Sequence, residues 1–392
     1  MPDSASNQIA LCLNVGSSSL KFALFRVTSR SEECLASGAV EQLGTDAARA
    51  RLAAGTQRVE RPCPSLNLSD SLAVVFQLLD EQALPKASVV GHRVVHGGRE
   101  HLTPTRIDGA LLESLKHLLP LAPLHLPAAI AGIEAASQHL PDLPQVACFD
   151  TAFHANMPEY AARFALPARF YEDGLRRYGF HGLSYEYVLS TLGDPPPARV
   201  IIAHLGSGAS LAAIQDGRSI DTTMGFTPGG GIMMGTRAGD LDPGLMLYLQ
   251  REQGYGSERL EHLLDKESGL LGIAGTADMQ LLSERLAHDE QAQLAVTMMG
   301  YATRKMIGAY IAVLGGLDVL VFTGGIGEHS PTLRAEACRG LSGLGIALDQ
   351  AKNALSERAI QAASSACQVL VVETDEDRMI ARHAGAVMRA LP

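Results

Sequence analysis

Three short runs rich in glycine and serine are places where backbone amides could meet an anion: residues 14–21 (NVGSSSLK), 204–210 (HLGSGAS) and 323–328 (TGGIGE). Each follows an apolar run of strand length. Glycine lets N–H groups approach phosphate oxygens closely, and serine hydroxyls add further donors. Two arginines sit among similarly small neighbours, Arg93 in Gly91-His-Arg-Val-Val-His-Gly-Gly98 and Arg237 in Met234-Gly-Thr-Arg-Ala-Gly-Asp240. An arginine fork binds carboxylate or phosphate through two parallel bonds. His125, His181 and His204 add ring nitrogens nearby in the sequence. Such residues suit chemistry on anions, and three phosphate-type turns point to a nucleotide held in a cleft between two similar domains. Neither G-x-x-x-x-G-K-[ST] nor a strand-placed G-x-G-x-x-G occurs, so the P-loop and dinucleotide readings lose their signature. His92, His96 and His101 lie on no H-E-x-x-H or helical H-x-x-x-H pattern and are read as satisfied structural residues.

The elements that must position these groups alternate between strands and helices. Ile9–Asn14 and Lys21–Val27 read as strand, tight turn, strand. Arg199-Val-Ile-Ile-Ala-His-Leu-Gly-Ser-Gly-Ala-Ser and Leu211–Ile214 repeat that pattern, with Asn14 and His204, then Gly16 and Gly206, in matching places. The match suggests an internal duplication, against the plainer reading of two unrelated hairpins. Met306–Phe322 contains Asp318 and a Gly315-Gly316 pair, so it reads as a buried helix, a turn and a strand and not as a membrane span. Ser330 and Pro331 suit the cap and first position of a helix after the third glycine run. Glu376 to Leu391 reads as a helix, with Met379, Ile380, Ala384, Val387 and Met388 as its apolar stripe. The fold class expected is α/β.

Composition bounds the function. A chain of 392 residues is long enough for two domains. A formal charge of −10, with no long Lys/Arg block, argues against nucleic acid and against an anionic membrane surface as partners. Cys12, Cys34, Cys63, Cys148, Cys338 and Cys367 form no C-x-x-C pair, so neither a disulfide framework nor a zinc site is expected. MPDSASNQ has no signal-peptide pattern, and a cytoplasmic location is expected.

Eight ordered motifs carry a resemblance that spans roughly residues 9 to 385. They are Asn14–Lys21, Gly91–Gly98, Leu121-Ala-Pro-Leu-His125, Phe149-Asp-Thr-Ala-Phe-His154, Tyr178-Gly-Phe-His-Gly182, His204-Leu-Gly, Met234–Asp240 and Thr323–Glu328. In these the sequence resembles the acetate kinase family of the sugar kinase, heat-shock chaperone and actin superfamily. The resemblance implies two similar actin-like (ribonuclease H-like) βββαβαβα domains flanking a nucleotide cleft. The expected division is 1–150, completed by a C-terminal helix 379–392, and a nucleotide-binding domain 151–378.

The implied reaction is reversible, Mg²⁺-dependent phosphoryl transfer from ATP to acetate, giving acetyl phosphate and ADP. A carboxylate is already ionised at neutral pH. The difficulty is therefore to bring two anions together and to stabilise charge on the transferred oxygens. The resemblance makes Asp150, His181 and Arg237 catalytic. It places Arg93, Val95, Leu124, His125, Phe180 and Pro228 around the acyl substrate. It assigns the nucleotide to Lys21, His204, Leu205, Gly206, Ser207, Gly208, Asp278, Met279, Gln280, Gly325, Ile326, Gly327, Glu328 and His329, and Mg²⁺ (or Mn²⁺) to Asn14 and Glu376. Without it, Asp375-Glu376-Asp377 reads as charge complementing a helix dipole. The chain departs from the family pattern at Leu126, Tyr185 (where His is usual), Ser207, Gly229-Gly230, Gln280 and His329. Propionate or butyrate as acceptor, or pyrophosphate as donor, are the alternatives within this chemistry; an actin-like nucleotide switch is the alternative outside it. A homodimer is implied by resemblance.

Overall fold

The computed structural model describes residues 7–16, 18–64 and 66–390; Ser17 of the first glycine–serine turn, and the outer domain limits at residues 1 and 392, lie outside the described residues. The chain divides into two compact units. One runs to Ala152 and resumes at Asp375; the other is Phe153–Thr374.

In the first unit the strands are β1 (Gln8–Val15), β2 (Ser19–Val27), β3 (Glu32–Glu41), β4 (Arg49–Ala54), β5 (Gln57–Pro62), β6 (Val89–Val94), β7 (Thr105–Arg106) and β8 (Gln145–Phe149). They form one sheet in the order β5-β4-β3-β2-β1-β6-β8-β7. β1 pairs antiparallel with β2 and parallel with β6, and β6 is parallel to β8. Every residue of β8 is buried, as expected of a parallel strand covered on both faces. Helices Leu68–Glu81 and Leu126–His139 pack together, and residues of both join Leu11, Leu13, Phe22 and Leu24 in one apolar core. The helix Glu376–Ala390 packs against β1, β6 and β8 and buries Met379, Ile380, Ala381, Ala384 and Gly385. It begins at Glu376, as its sequence implies, and Asp375 caps that start by accepting the Arg378 N–H (2.9 Å). Gly91 permits the close approach of this helix: a Cβ there would lie 2.5 Å from Ile380 Cγ2.

In the second unit the strands are β9 (Arg199–Leu205), β10 (Ala209–Gln215), β11 (Arg218–Thr222), β12 (Val319–Thr323) and β13 (Gln368–Val371). Their order is β11-β10-β9-β12-β13. β9 is antiparallel to β10 and parallel to β12, which is parallel to β13. The same plan therefore occurs twice: a central strand, two antiparallel neighbours following it on one side, and two later parallel strands on the other. The suspected duplication of the two hairpins is thus a duplication of whole sheets. The buried helix expected before β12 is Glu290–Leu314, capped by Asp289 and ended by Gly315 in the left-handed region.

The third glycine run differs from the sequence expectation of an open loop. Gly324–His329 is a short helix entered directly from β12. Glycines disfavour a helix intrinsically, but Glu328 accepts the Gly324 N–H (2.8 Å), and Arg334 Nη1 donates to the carbonyls of Gly327 (2.8 Å) and Glu328 (2.9 Å). Ser330 caps the next helix, Pro331–Cys338, as its sequence implies. Among the described residues no helix is long and apolar enough to cross a membrane.

Candidate active site

In the first unit, the chemistry-bearing residues lie at or just beyond the carboxyl ends of β1, β6 and β8. This is the edge where open α/β sheets bind ligands, next to the point where the strand order reverses. Asn14 stands one residue before the end of β1 and opposite Lys21 on β2. Arg93 pairs with Cys148 across β6 and β8, and Asp150 follows β8 immediately. Asp150 is buried. It accepts from Arg93 Nη2 (2.7 Å) and from Nε (3.1 and 3.2 Å to its two oxygens). Glu376, the first residue of its helix, brings a second carboxylate to 3.5 Å from Arg93 Nε. Burial works against the Arg93 charge, but Asp150 and Glu376 outweigh it and raise its pKa above the usual range. The guanidinium is thus fixed by two nitrogens, and Nη1 has no partner among the described residues.

Asp377, read in the sequence only as helix-dipole charge, stands among these charged groups. Burial, with Glu376 and Asp375 beside it, pushes its carboxyl up to about 6 against the opposing pull of Lys21 and Arg93. A titratable group perturbed in this way, among the charges of a site, marks functional ground. Val95 and His125 are half-buried near these strands, while Leu124 is exposed. Of the histidines set aside as structural, His92 Nε2 meets Gln145 Oε1 (2.6 Å) and His101 Nε2 meets Ser114 Oγ (2.8 Å), while His96 is satisfied at Nδ1, which accepts the Gly98 N–H (2.9 Å), but makes no hydrogen bond at its buried Nε2 among the described residues.

In the second unit, the turn between β9 and β10 is closed by the Gly206 N–H donating to the Gly208 carbonyl (3.0 Å). A Cβ built on Gly208 would lie 3.2 Å from His181 Nε2 and 3.6 Å from Arg237 Nη1, so both side chains crowd this one turn. His181 has left-handed backbone angles (φ 60°, ψ 25°) at the start of helix Gly182–Ser190, a conformation that a non-glycine residue keeps only where the surroundings impose it. Its Nδ1 meets Ser210 Oγ at 2.9 Å, and its ring stacks on His204 with centroids 4.2 Å apart. His204 Nδ1 in turn meets Ser184 Oγ at 2.8 Å. Arg237 is half-buried. Burial lowers its pKa, opposed by Asp265, and Nη1 donates to the Pro228 carbonyl (3.1 Å). Its loop needs Gly269: with φ +63°, a Cβ there would stand 2.2 Å from the Met234 carbonyl and 2.9 Å from that of Arg237. Phe180 is fully buried, and its carbonyl accepts from His154 Nε2 (3.1 Å).

The residues expected at the nucleotide fall into two kinds. Leu205, Gly206, Ser207 and Gly208 meet the start of the glycine helix: a Cβ on Gly206 would lie 3.9 Å from the Gly325 N, and Gly324 abuts Leu205. Ser207 is exposed, and its carbonyl accepts from Gly235 N (3.4 Å). Gly327 and Ile326 lie inside that helix, and His329 at its end is largely exposed. Two acidic side chains have structural duties instead. Asp278 caps helix Met279–Arg285 by accepting from Gln280 N (2.8 Å) and Leu281 N (3.3 Å), while Met279 is buried and Gln280 exposed. Glu328 is turned inward to the N–H groups of Gly324 and Thr374 (3.1 Å for the latter).

The chain as a whole has relatives of known sequence and structure. The sequence profile of the Acetokinase family matches residues 9–382. An acetate kinase of Coprothermobacter proteolyticus is 43% identical, over 97% of this chain and 99% of its own length. A solved propionate kinase structure from Francisella tularensis superposes with a TM-score of 0.92 at 38% identity, over 97% of this chain and 100% of its own. An acetate kinase structure from Porphyromonas gingivalis does so with a TM-score of 0.87 at 36% identity, again over 97% and 100%. Motif order, the twice-used sheet plan and full-length similarity agree, and the chain belongs to the acetokinase family of kinases, with their actin-like α/β fold.

Proposed function

We propose that this kinase transfers the terminal phosphoryl group of ATP to acetate, reversibly, and that propionate is a slower acceptor in the same site. The observation that carries the reading is the joint approach of His181 and Arg237 to Gly208. A half-buried guanidinium and an imidazole stand over the glycine turn between β9 and β10, as stabilisation of a phosphoryl group in flight requires. In the first unit, Arg93 is held by Asp150 and Glu376, and Nη1 faces the acceptor carboxylate. Val95, Leu124, Phe180 and Pro228 serve the short acyl chain, which discriminates by only ~1–3 kcal/mol per methylene; propionate as a second acceptor rests on the F. tularensis relative. His125 serves the same substrate. Leu205–Gly208, Gly325–Gly327, Lys21 and His204 serve the nucleotide, with the segments of Asp278–Gln280 and Glu328–His329 positioned about it.

Asn14 and Glu376 hold Mg²⁺ in this reading. Among the described residues no group of three or more His, Cys, Asp or Glu converges as a metal cage. That suits Mg²⁺, which binds proteins through one or two oxygens and completes its shell with water and phosphate. Bound there, the ion neutralises phosphate charge. Six cysteines that form no disulfide among the described residues suit the reducing cytoplasm. The helix Pro243–Gln253 buries none of its own residues and exposes Leu245, Leu247 and Tyr248, a face suited to a homodimer contact.

The test is trapping of acyl phosphate as hydroxamate, with ATP or pyrophosphate as donor and two-, three- and four-carbon acids as acceptors. The proposal expects ATP-dependent product with the highest kcat/KM for acetate. A preference for butyrate, product only with pyrophosphate, or ATP consumption indifferent to any acid would each overturn it.

A further inference from the structure

Tyr185 belongs to no motif named above, yet it lies behind His181. It is on helix Gly182–Ser190, fully buried, with its ring between those of Phe153 (5.9 Å) and His154 (5.5 Å). Its hydroxyl meets Ser210 Oγ at 2.5 Å, and Ser210 Oγ meets His181 Nδ1 at 2.9 Å. Three side chains thus form one hydrogen-bonded line, Tyr185–Ser210–His181, inside the second unit.

The direction of that line follows from counting protons. Burial pushes the phenol pKa up, so Tyr185 keeps its hydrogen. Among the described residues Ser210 Oγ is the one hydrogen-bond partner of that hydroxyl. A buried O–H left without an acceptor costs about 1–3 kcal/mol, so Tyr185 donates to Ser210. A serine hydroxyl has one hydrogen to give; Ser210 is buried, and among the described residues its Oγ meets only that phenol and His181 Nδ1, so with Tyr185 as donor the hydrogen goes to His181. Nδ1 of His181 is then an acceptor. The reverse line, with His181 Nδ1–H donating to serine and serine to tyrosine, would leave the phenol hydrogen in an apolar pocket.

We propose that Tyr185, acting through Ser210, is a positioning residue that keeps the single ring proton of His181 on Nε2, the nitrogen beside Gly208 and Arg237. The ring then presents a donor where an anionic phosphoryl oxygen would stand, and is held against tautomer exchange. The inference rests on the reading of His181 as a site residue, but its first test needs no substrate.

Long-range ¹H–¹⁵N spectra of histidine-labelled protein at pH 7.5 report the tautomer, with His181 assigned through His181→Gln. The expected wild-type pattern is a protonated Nε2 and an acceptor Nδ1. Tyr185→Phe frees the serine hydrogen, and Ser210→Ala removes it; both should give averaged, mixed-tautomer nitrogens. In turnover, Tyr185→Phe should lower kcat about tenfold with KM for the carboxylate within about twofold. A wild-type ring protonated at Nδ1 overturns the proposal outright, even if neither variant folds. So does a wild-type pattern that both variants retain, or a loss in Tyr185→Phe confined to KM. Failure of carboxylate-dependent turnover in the wild type would refute the proposed reaction and leave the nitrogen signature to stand or fall separately.

Discussion

Replacing His92 with Gln should change how the protein meets acid, in a direction set by the burial of the ring. His92 is buried on β6 beside Arg93, and its Nε2–H donates to Gln145 Oε1 (2.6 Å), whose own Nε2 donates to Ser137 Oγ (2.7 Å). Burial pushes the imidazole down from 6.5 to about 4, against a smaller opposing effect of the Gln145 bond. Above pH 6.5 the ring is neutral in folded and unfolded chains alike, so it adds no pH dependence. Below that, the unfolded chain takes up a proton that the folded one refuses, and stability falls until the pH passes the folded value near 4. Integrating between the two values, the group removes about 2–3 kcal/mol of stability from pH 7.5 to pH 4.5. His92→Gln abolishes this loss while itself lowering stability at all pH values through altered packing. The measured quantity is therefore the gap between wild type and variant, which should narrow by about 2–3 kcal/mol over that span. Urea unfolding followed by far-UV circular dichroism provides it, since the chain has no tryptophan. Parallel pH curves for the two proteins would refute the reasoning: the buried ring would then be taking up its proton without unfolding.

Arg237→Ala should lower kcat by a factor of roughly 10² to 10⁴ while leaving the circular dichroism spectrum intact, because the guanidinium acts on charge that develops in the transition state; unchanged turnover removes it from the site. Gly208→Ala should fold and bind nucleotide, yet lose at least about tenfold in kcat, since its methyl would press on His181 Nε2 at 3.2 Å and on Arg237 Nη1 at 3.6 Å. Steady-state kinetics with full activity would show that the turn yields. Gly91→Ala should destabilise by about 1–3 kcal/mol, because its methyl would meet Ile380 at 2.5 Å, and a shift of helix Glu376–Ala390 would carry Glu376 with it. Urea midpoints and the Mg²⁺ dependence of turnover measure the two effects.

Much of the frame was legible because it is local. The hairpin β1–β2 and its repeat β9–β10 carry their alternation and small-residue turns in the chain itself, and the helix stop at Gly315 and cap at Ser330 follow from residue type. The site residues Arg93, Asp150, His181 and Arg237 were picked out by motif resemblance, whereas the contacts that hold them come from distant segments. Asp150 lies 57 residues beyond the arginine it grips, and Ser210 lies 29 beyond His181. No local pattern announces the left-handed backbone of His181 or the inward turn of Glu328. The glycine run after β12 was misread as a loop because its helix depends on Arg334, in the following helix. Tyr185 showed only as a departure from the family pattern; its meaning appeared once Ser210 was placed against it.

The helix Glu376–Ala390 covers strands made near the start of the chain, and Phe153–Thr374 is translated in between. On the ribosome the second unit has all of its own strands and helices before the first has its last one. Until then β1, β6 and β8 wait with an apolar face uncovered and with Arg93 lacking one of its two carboxylates. The first unit can thus mature only after translation has passed the helix Glu376–Ala390, which delays the assembly of its charged cluster until the whole of the second unit has been made.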